Sequence, residues 1–472
     1  MLAAQSPSTI ARRMPKTQDQ RRWLTISAPP GPEPVLLQHL RTRGFRWLQV
    51  ADAALLMLAM VGINVVRFGT NWPHYPVSHY TIGFAIATAI HLIVYYFAGL
   101  YEPELRLGHR PWLPRIGAAT LVAVLLDSLA ALATGRYLMP RANLVALLVV
   151  ASLLLTASRH LSRWVRLRRG GPPRVFLVGA PDDVNLARAH LHESDRTALI
   201  VGESTSAIGL EQLVDEAGAT DVLMLSSGGL AALFPEPLTS FERRGIGALQ
   251  RIGAQETMLG LREVREVAGM PFVPLQAHTL PRSRAHLKRC LELVAIIALS
   301  PIILPVALLV SCYVRIVAGK HILLRQERVG RNGRGFEMVK FRTMQPNAEE
   351  GLGPLLARRN DPRVIPACQW LRDTRLDEIP NLWNVVKGEM SIVGPRPERP
   401  ELTARHEELI PGYRRRHEIP PGITGLAQIH GSYHTDPAFK LGYDLQYLVN
   451  WSPVLDVEIA LRTVWVVVTR RV

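Results

Sequence analysis

Hydrophobic positions along this chain fall into two regimes. In the first third they come as long unbroken runs, at residues 48–66, 81–100, 116–134 and 144–157. Each is close to the ~20 residues that a membrane-spanning helix needs, although the last is short. The pattern predicts four transmembrane helices within residues 46–160, after an N-terminal tail of residues 1–45. Asp52, His91 and Asp127 lie inside these runs. Ionisable residues within a membrane are functional candidates by default. Here they trace no pathway, so polar contacts between bundle helices are expected.

Beyond the fourth run the apolar stretches shorten. The linker "RRGGPPR" opens a region in which "VFLVGA", "ALIVG" and "DVLMLSS" read as strands and "DDVNLARAHLHE" as a helix. Strands alternating with helices predict a small Rossmann-like α/β domain over residues 174–275. The turn after its first strand, "GAPDD", lacks G-x-G-x-x-G and puts acids where a pyrophosphate would sit. A structural or regulatory spacer fits that turn better than a nucleotide site.

A fifth apolar run, residues 293–314, is long enough to span a bilayer. Lys288 and Arg289 precede it, and Arg315 and Lys320 follow it. Basic residues at both ends favour both ends on the cytoplasmic side, which a spanning helix forbids. A helix that breaks at Ser300-Pro301 and turns back resolves the conflict. Proline removes a backbone bond, and the Ser300 hydroxyl can satisfy a freed carbonyl. A spanning, proline-kinked helix is the other reading, and topology alone does not separate them. The membrane helix is thus placed at residues 284–319 and a last soluble domain at 320–472. That domain opens with "ILLRQERVGRNGRGFEMVKFRTM", two strands joined by an Asn-Gly turn at Asn332-Gly333. "RVGRNGRG" resembles a glycine-rich phosphate loop but matches no P-loop.

Charge then sets orientation. The formal net charge is +16. The excess suits phosphorylated substrates, an anionic membrane surface or nucleic acid, or is simply the positive-inside bias of a membrane protein. Basic flanks ("RTRGFR", the turn with Arg106, Arg110 and Arg115, and "RHLSRWVRLRR") put the N-terminus and everything after Arg159 in the cytoplasm. No stripe of basic residues with interleaved aromatics points to nucleic acid. Cys290, Cys312 and Cys368 form no CxxC and no disulfide framework, as in a reducing compartment. The first ~30 residues have no apolar core, so no cleaved signal peptide is expected. G-x-S-x-G, H-E-x-x-H and cysteine-protease signatures are absent from the sequence.

The candidate chemistry sits in "RLDEIPNLWNVVKGEMSIVGPRPERPE". Asp377 and Glu378 are adjacent, Pro380 suits the first position of the helix that follows, and Thr374 stands at capping-box spacing from Asp377. Alone, the stretch reads as simple capping. Lys340 and Arg342 in "VKFR", Arg372 and Arg396 in "GPRP" change that reading. Arginine grips phosphate with a planar fork. A carboxylate pair among cations suits phosphoryl transfer with Mg2+, and a carboxylate is also a nucleophile towards phosphorus. "PPGITGLAQIHG" adds a glycine-rich loop with Gln428, suited to a nucleoside.

Several of these stretches occur in one characteristic order: "RQERVGRNG", "VKFRTM", "DPRV", "LRDTRLDEIPNLWNVVKGEMSIVGPRP", "PGITGLAQIHG" and "YDLQYLVNWSPVLDVEIALRT". In them the C-terminal region, residues 288–472, strongly resembles the bacterial sugar transferases, the monotopic polyprenyl-phosphate hexose-1-phosphate (phosphoglycosyl) transferases. The helices and α/β unit that precede it look like the large form of that family, which initiates exopolysaccharide or O-antigen synthesis. The resemblance implies a two-step reaction. Asp377 would attack the β-phosphate of a UDP-sugar, release UMP, and pass the sugar phosphate to undecaprenyl phosphate. It makes Glu378 the partner of the dyad near Mg2+, and Lys340, Arg342, Arg372 and Arg396 basic active-site positions. It makes Ser300-Pro301 the break of a re-entrant membrane helix.

The expected architecture is therefore a multi-pass protein of the bacterial inner membrane. It has four transmembrane helices, an α/β domain, a re-entrant helix and a cytoplasmic α+β catalytic domain, with a homodimer kept open. Three positions depart from the family pattern: Glu292 replaces an Asp, Lys320-His321 replaces Gly-Pro, and Pro346-Asn347 begins a stretch that usually begins with Asp. A catalytically degenerate scaffold or regulator is the alternative function, and the intact dyad argues against it.

Overall fold

The computed structural model describes residues 47–69, 77–102, 106–108, 111–134, 140–194, 198–226, 230–233, 236–253, 265–275, 280–345, 361–430 and 436–469. The tail at 1–45 and the departure at Pro346-Asn347 lie outside them. The chain divides near residue 283 into two compact units.

In the first unit, the apolar runs form α1 (Trp47–Phe68), α2 (Val77–Phe97), α3 (Trp112–Thr134) and α4 (Arg141–Gly170). Their core holds Leu56, Met60, Tyr95, Ile116, Leu147 and Leu155. Leu58, Ile82, Leu129 and Leu132 face outward and are exposed, as lipid-facing residues are. Helix α4 extends well past the apolar run that announced it. Its Arg159 is drawn into the bundle, donating to both carboxylate oxygens of Asp52 at 2.9 and 2.6 Å. Arg159 is therefore a buried partner and not only a basic flank. Tyr95 and Thr120 share a hydrogen bond of 2.9 Å, and Asn143 donates to Asn64 at 3.0 Å. His91 lies 3.4 Å from Asp127.

Removing one member of a buried ion pair strands the other charge, at a cost of about 3–5 kcal/mol. Asp52→Leu is expected to lower the melting temperature of the detergent-solubilised protein, and Asp52→Leu with Arg159→Leu to recover most of it. Equal melting of the single and double variants would contradict this.

The α/β domain contains β1 (Arg174–Val178), α5 (Pro181–Ser194), β2 (Leu199–Ser204), α6 (Leu210–Ala217), β3 (Asp221–Met224), α7 (Leu230–Leu233), α8 (Leu238–Arg244), β4 (Gly247–Arg251), β5 (Arg265–Val267) and β6 (Met270–Pro274). Its sheet order is β2-β1-β3-β4-β6-β5. The first four strands are parallel and the last two antiparallel. Leu107, from the segment between α2 and α3, is buried among Leu177, Leu223 and Phe272 of this domain. Arg265 also donates to the Gly108 carbonyl at 3.2 Å.

The second unit begins with α9 (Arg282–Val317), a single 36-residue helix. The expected break at Ser300-Pro301 is a local loss of backbone bonding inside one helix, not a gap between two. Pro301 cannot donate to Ile297, and the Ser300 hydroxyl donates to that carbonyl instead, at 2.7 Å. Both ends of α9 pack on the same domain. At the N-terminal end, Leu287 joins Val393, Tyr447 and Trp451, and Ile296 joins Met338, Val385 and Met390. Lys288 pairs with Glu292 and Asp456, each at 2.9 Å, and Glu292 accepts from Ser391 and from the Ile392 N–H. Arg289 donates to the carbonyls of Val385 and Val386. At the C-terminal end, Val306, Val310, Tyr313 and Val314 pack with Phe341, Cys368 and Leu371. In the middle, Ile297, Ile302 and Leu304 are exposed.

The domain continues with β7 (Leu323–Val329), β8 (Gly335–Phe341), α10 (Gln369–Asp373), α11 (Asn381–Lys387), β9 (Ser391–Val393), α12 (Pro400–Leu409), β10 (Gly422–Thr424), α13 (Leu426–His430), α14 (Pro437–Asn450) and α15 (Pro453–Thr469). The β7–β8 hairpin turns at Asn332 and Gly333, whose φ values of 57° and 75° suit an Asn-Gly turn.

Candidate active site

Three segments build the site. The first is β8, which carries Lys340. The second is a 3-10 turn, Leu376–Glu378, between α10 and α11. Arg375 precedes it in the left-handed conformation, φ 55° and ψ 19°, and so turns the chain between α10 and the dyad. Such a conformation costs a non-glycine residue about 1–3 kcal/mol and persists where its surroundings hold it. The Arg375 side chain is held, donating to Gln428 Oε1 at 3.3 Å.

The third is the turn from Gly394 to Pro397, tied to the glycine-rich stretch around β10. The Gly394 N–H donates to Thr424 and the Gly422 N–H to Pro395, each at 2.8 Å. A Cβ on Gly422 would lie 2.1 Å from the Gly394 nitrogen, and one on Gly425 2.1 Å from the Gly394 oxygen. These two glycines therefore serve a close approach of backbones and bring Gln428 beside Arg396, with Oε1 and Nη1 3.5 Å apart.

Asp377 and Glu378 are both buried. Lys340 Nζ donates to Glu378 Oε1 at 2.6 Å. Burial raises the Asp377 carboxyl to about 6, and the neighbouring Glu378 charge adds to this, against the pull of Lys340 and Arg372. Burial also opposes the charge on Glu378, but Lys340 and Arg396 outweigh it and hold that carboxyl well below its usual range. Two adjacent carboxyls are thus driven apart by unequal access to cations, the mark of two different roles.

Of the expected cations, Lys340, Arg372 and Arg396 act electrostatically on the dyad. Arg342 is placed differently: its guanidinium donates to the Ala318 carbonyl just beyond the C-terminal end of α9. The capping box at Thr374 is not formed. The Thr374 hydroxyl turns back to the Trp370 carbonyl at 2.7 Å, because that acceptor lies one helical turn behind it. Residues not singled out from sequence also take part. Arg328 and Asn381 line the cavity with Lys340, Glu378 and Arg396. Arg375 contributes a further positive charge to Glu378.

Among the described residues no cluster of three His, Cys, Asp or Glu side chains is arranged for a metal. At this site the described residues offer a hard cation the adjacent carboxylates of Asp377 and Glu378. That set fits Mg2+, which commonly binds one or two carboxylates together with substrate phosphates.

The model of the family described as "Bacterial sugar transferase" matches residues 283–470. The chain is similar to the UDP-glucose:undecaprenyl-phosphate glucose-1-phosphate transferase of Escherichia coli (strain K12), 36% identical over 207 residues, 43% of this chain and 44% of that protein. It is similar to a transferase of the same name from Caulobacter vibrioides, 37% identical over 191 residues, 39% of this chain and 71% of that protein. The UDP-N-acetylgalactosamine-undecaprenyl-phosphate N-acetylgalactosaminephosphotransferase of Aeromonas hydrophila is 34% identical over 188 residues, 39% of this chain and 44% of that protein. The match thus spans under half the length of the Escherichia coli and Aeromonas proteins.

Proposed function

The chain belongs to the bacterial sugar transferase family, and on that premise we propose that it transfers a sugar-1-phosphate from a UDP-sugar to undecaprenyl phosphate, releasing UMP and initiating assembly of an exopolysaccharide or O-antigen repeat. The observation that carries this reading is the divided dyad, a buried carboxyl with raised proton affinity beside a cation-paired one.

Asp377, once ionised, attacks the β-phosphorus of the donor. The bond from that phosphorus to the bridging oxygen breaks, its electron pair leaves with UMP, and an acyl phosphate, the mixed anhydride of the aspartate with the sugar phosphate, forms. An oxygen of undecaprenyl phosphate then attacks the same phosphorus and frees the carboxylate. Lys340, Arg372 and Arg396 offset the charge that builds on the phosphoryl oxygens. Mg2+, held by Asp377 and Glu378, would supply Lewis-acid neutralisation of the donor phosphates. Gln428, tied to Arg375 and near Arg396, would contact the donor.

The packing of α9 supports a re-entrant path with the catalytic domain on the cytoplasmic side. Only residues 297–305 lie between the last N-terminal contact, at Ile296, and the first C-terminal one, at Val306. Nine helical residues rise about 14 Å. That is under half of a ~30 Å hydrocarbon core. One folded domain grips both ends, which supports a path in which α9 dips into the membrane and returns.

Membranes containing the protein, given undecaprenyl phosphate and a panel of UDP-glucose, UDP-galactose and UDP-N-acetylgalactosamine, are expected to release UMP from at least one donor, beyond one equivalent of enzyme only when the lipid acceptor is supplied. EDTA should stop release and Mg2+ restore it. The raised Asp377 predicts that kcat/KM falls as pH drops through about 6, because the protonated carboxyl is no nucleophile. Failure to release UMP from any donor would overturn the assignment.

A further inference from the structure

Arg416 lies in the run "RRRHE", which reads as a solvated charged surface. Its side chain is instead almost fully buried, at 3% exposure. The guanidinium meets Glu398 Oε1 at 2.9 Å, Asp444 Oδ2 at 2.9 Å and the Tyr413 hydroxyl at 2.5 Å. Tyr413 in turn donates to Glu398 Oε2 at 2.5 Å. One further donor is directed elsewhere: Nη2 reaches the backbone carbonyl of Arg396 at 3.1 Å.

That carbonyl sits between two prolines, Pro395 and Pro397, which contribute no N–H to hold the turn. The turn is fixed from one side by the Gly394 and Gly422 backbone bonds. Arg416 fixes it from the other. The side chain of the same residue, Arg396, lines the cavity with Glu378 and acts electrostatically on it.

From this geometry we infer that Arg416 is a positioning residue for the proposed reaction: anchored by Glu398, Asp444 and Tyr413, it holds the Arg396 backbone so that the Arg396 guanidinium meets the donor diphosphate. The inference rests on the transferase reading for its substrate. Arg416 touches no reacting atom and acts through Arg396 alone. A lysine keeps the charge but lacks the planar fork that spans two acids and a carbonyl.

A double-mutant cycle tests this, with kcat and KM for the donor measured by UMP release. Arg416→Lys is expected to lower kcat/KM about 10- to 100-fold, the scale of a small misplacement of a substrate-binding group. In an Arg396→Ala background the same change should cost less than about threefold, since nothing remains to be positioned. Tyr413→Phe keeps the packed ring and removes only the hydroxyl, so it covers the case in which Arg416→Lys does not fold. It should lose about threefold alone and nothing in the Arg396→Ala background. Equal losses in both backgrounds, or wild-type kcat/KM in the folded single variants, would overturn the inference.

Inorganic pyrophosphate gives a readout free of turnover. It should raise the melting temperature of the wild type and raise it less in Arg416→Lys or Tyr413→Phe. A wild type that releases no UMP overturns the proposed function. The pyrophosphate shift then decides the positioning role by itself, and equal shifts in wild type and variants would sink it.

Discussion

Asp377→Asn is expected to abolish UMP release, by on the order of 10³-fold or more, while leaving the protein folded. The amide has the shape of the carboxylate but neither its nucleophilic charge nor its affinity for Mg2+. Stability should not fall. Burial already works against the Asp377 charge, and a neutral amide relieves that penalty as well as the repulsion from Glu378. Lost activity with an unchanged or raised melting temperature would separate chemistry from folding. The covalent step has its own readout. Without lipid acceptor, wild-type protein mixed with donor should carry a sugar-phosphate adduct by mass spectrometry, and Asp377→Asn should carry none. Glu378→Gln should lose most activity through the lost pairing with Lys340. Near-normal UMP release by Asp377→Asn would show that the nucleophile lies elsewhere.

Much of this architecture was readable from the order of residues, and what was not has physical causes. Unbroken apolar runs announce helices α1–α4 and α9 because length and hydropathy alone decide what can cross a bilayer. The Asn332-Gly333 turn announces the β7–β8 hairpin because few residue pairs accept two positive φ values. The antiparallel β5–β6 pair carries no such signal. It turns at Ala268-Gly269, and alanine at φ 51° is not a sequence signature of a turn.

The site shows the same division. Asp377, Glu378 and their nearby cations stand out as a cluster of charge in an ordered motif. Arg375 does not, because its left-handed backbone is imposed by the fold around it. Arg159 reads as a membrane flank, and only its pairing with Asp52, 107 positions away, makes it interior. Arg416 reads as one of three equivalent arginines, and burial singles it out. Charge runs conceal such residues, because sequence gives the charge and not the acids that await it.

Topology yields the second large expected effect. In a background with Cys290, Cys312 and Cys368 replaced by alanine, single cysteines at Arg284 and Arg334, both exposed positions, flank α9. In intact cells a membrane-impermeant thiol reagent should label neither, and both should label once the membrane is opened. A spanning helix would instead place the two sites on opposite sides, so that one labels fully in intact cells. The grip at both ends of α9 argues for the first outcome. For the helix to span, either Lys288, Arg289 and Glu292 would have to leave Asp456, Val385 and Ser391, or Val310, Tyr313 and Val314 would have to leave Phe341 and Leu371. Replacing Pro301 and Pro305 with leucine restores two backbone donors and leaves ~20 uninterrupted apolar residues, long enough to cross. A fraction of that variant should expose position 334 outside, and UMP release should fall with that fraction, since a domain outside the cell is cut off from a cytoplasmic donor. Labelling at position 334 in intact cells with the native proline pair in place would sink the re-entrant path, and with it the placement of Asp377 on the donor's side of the membrane.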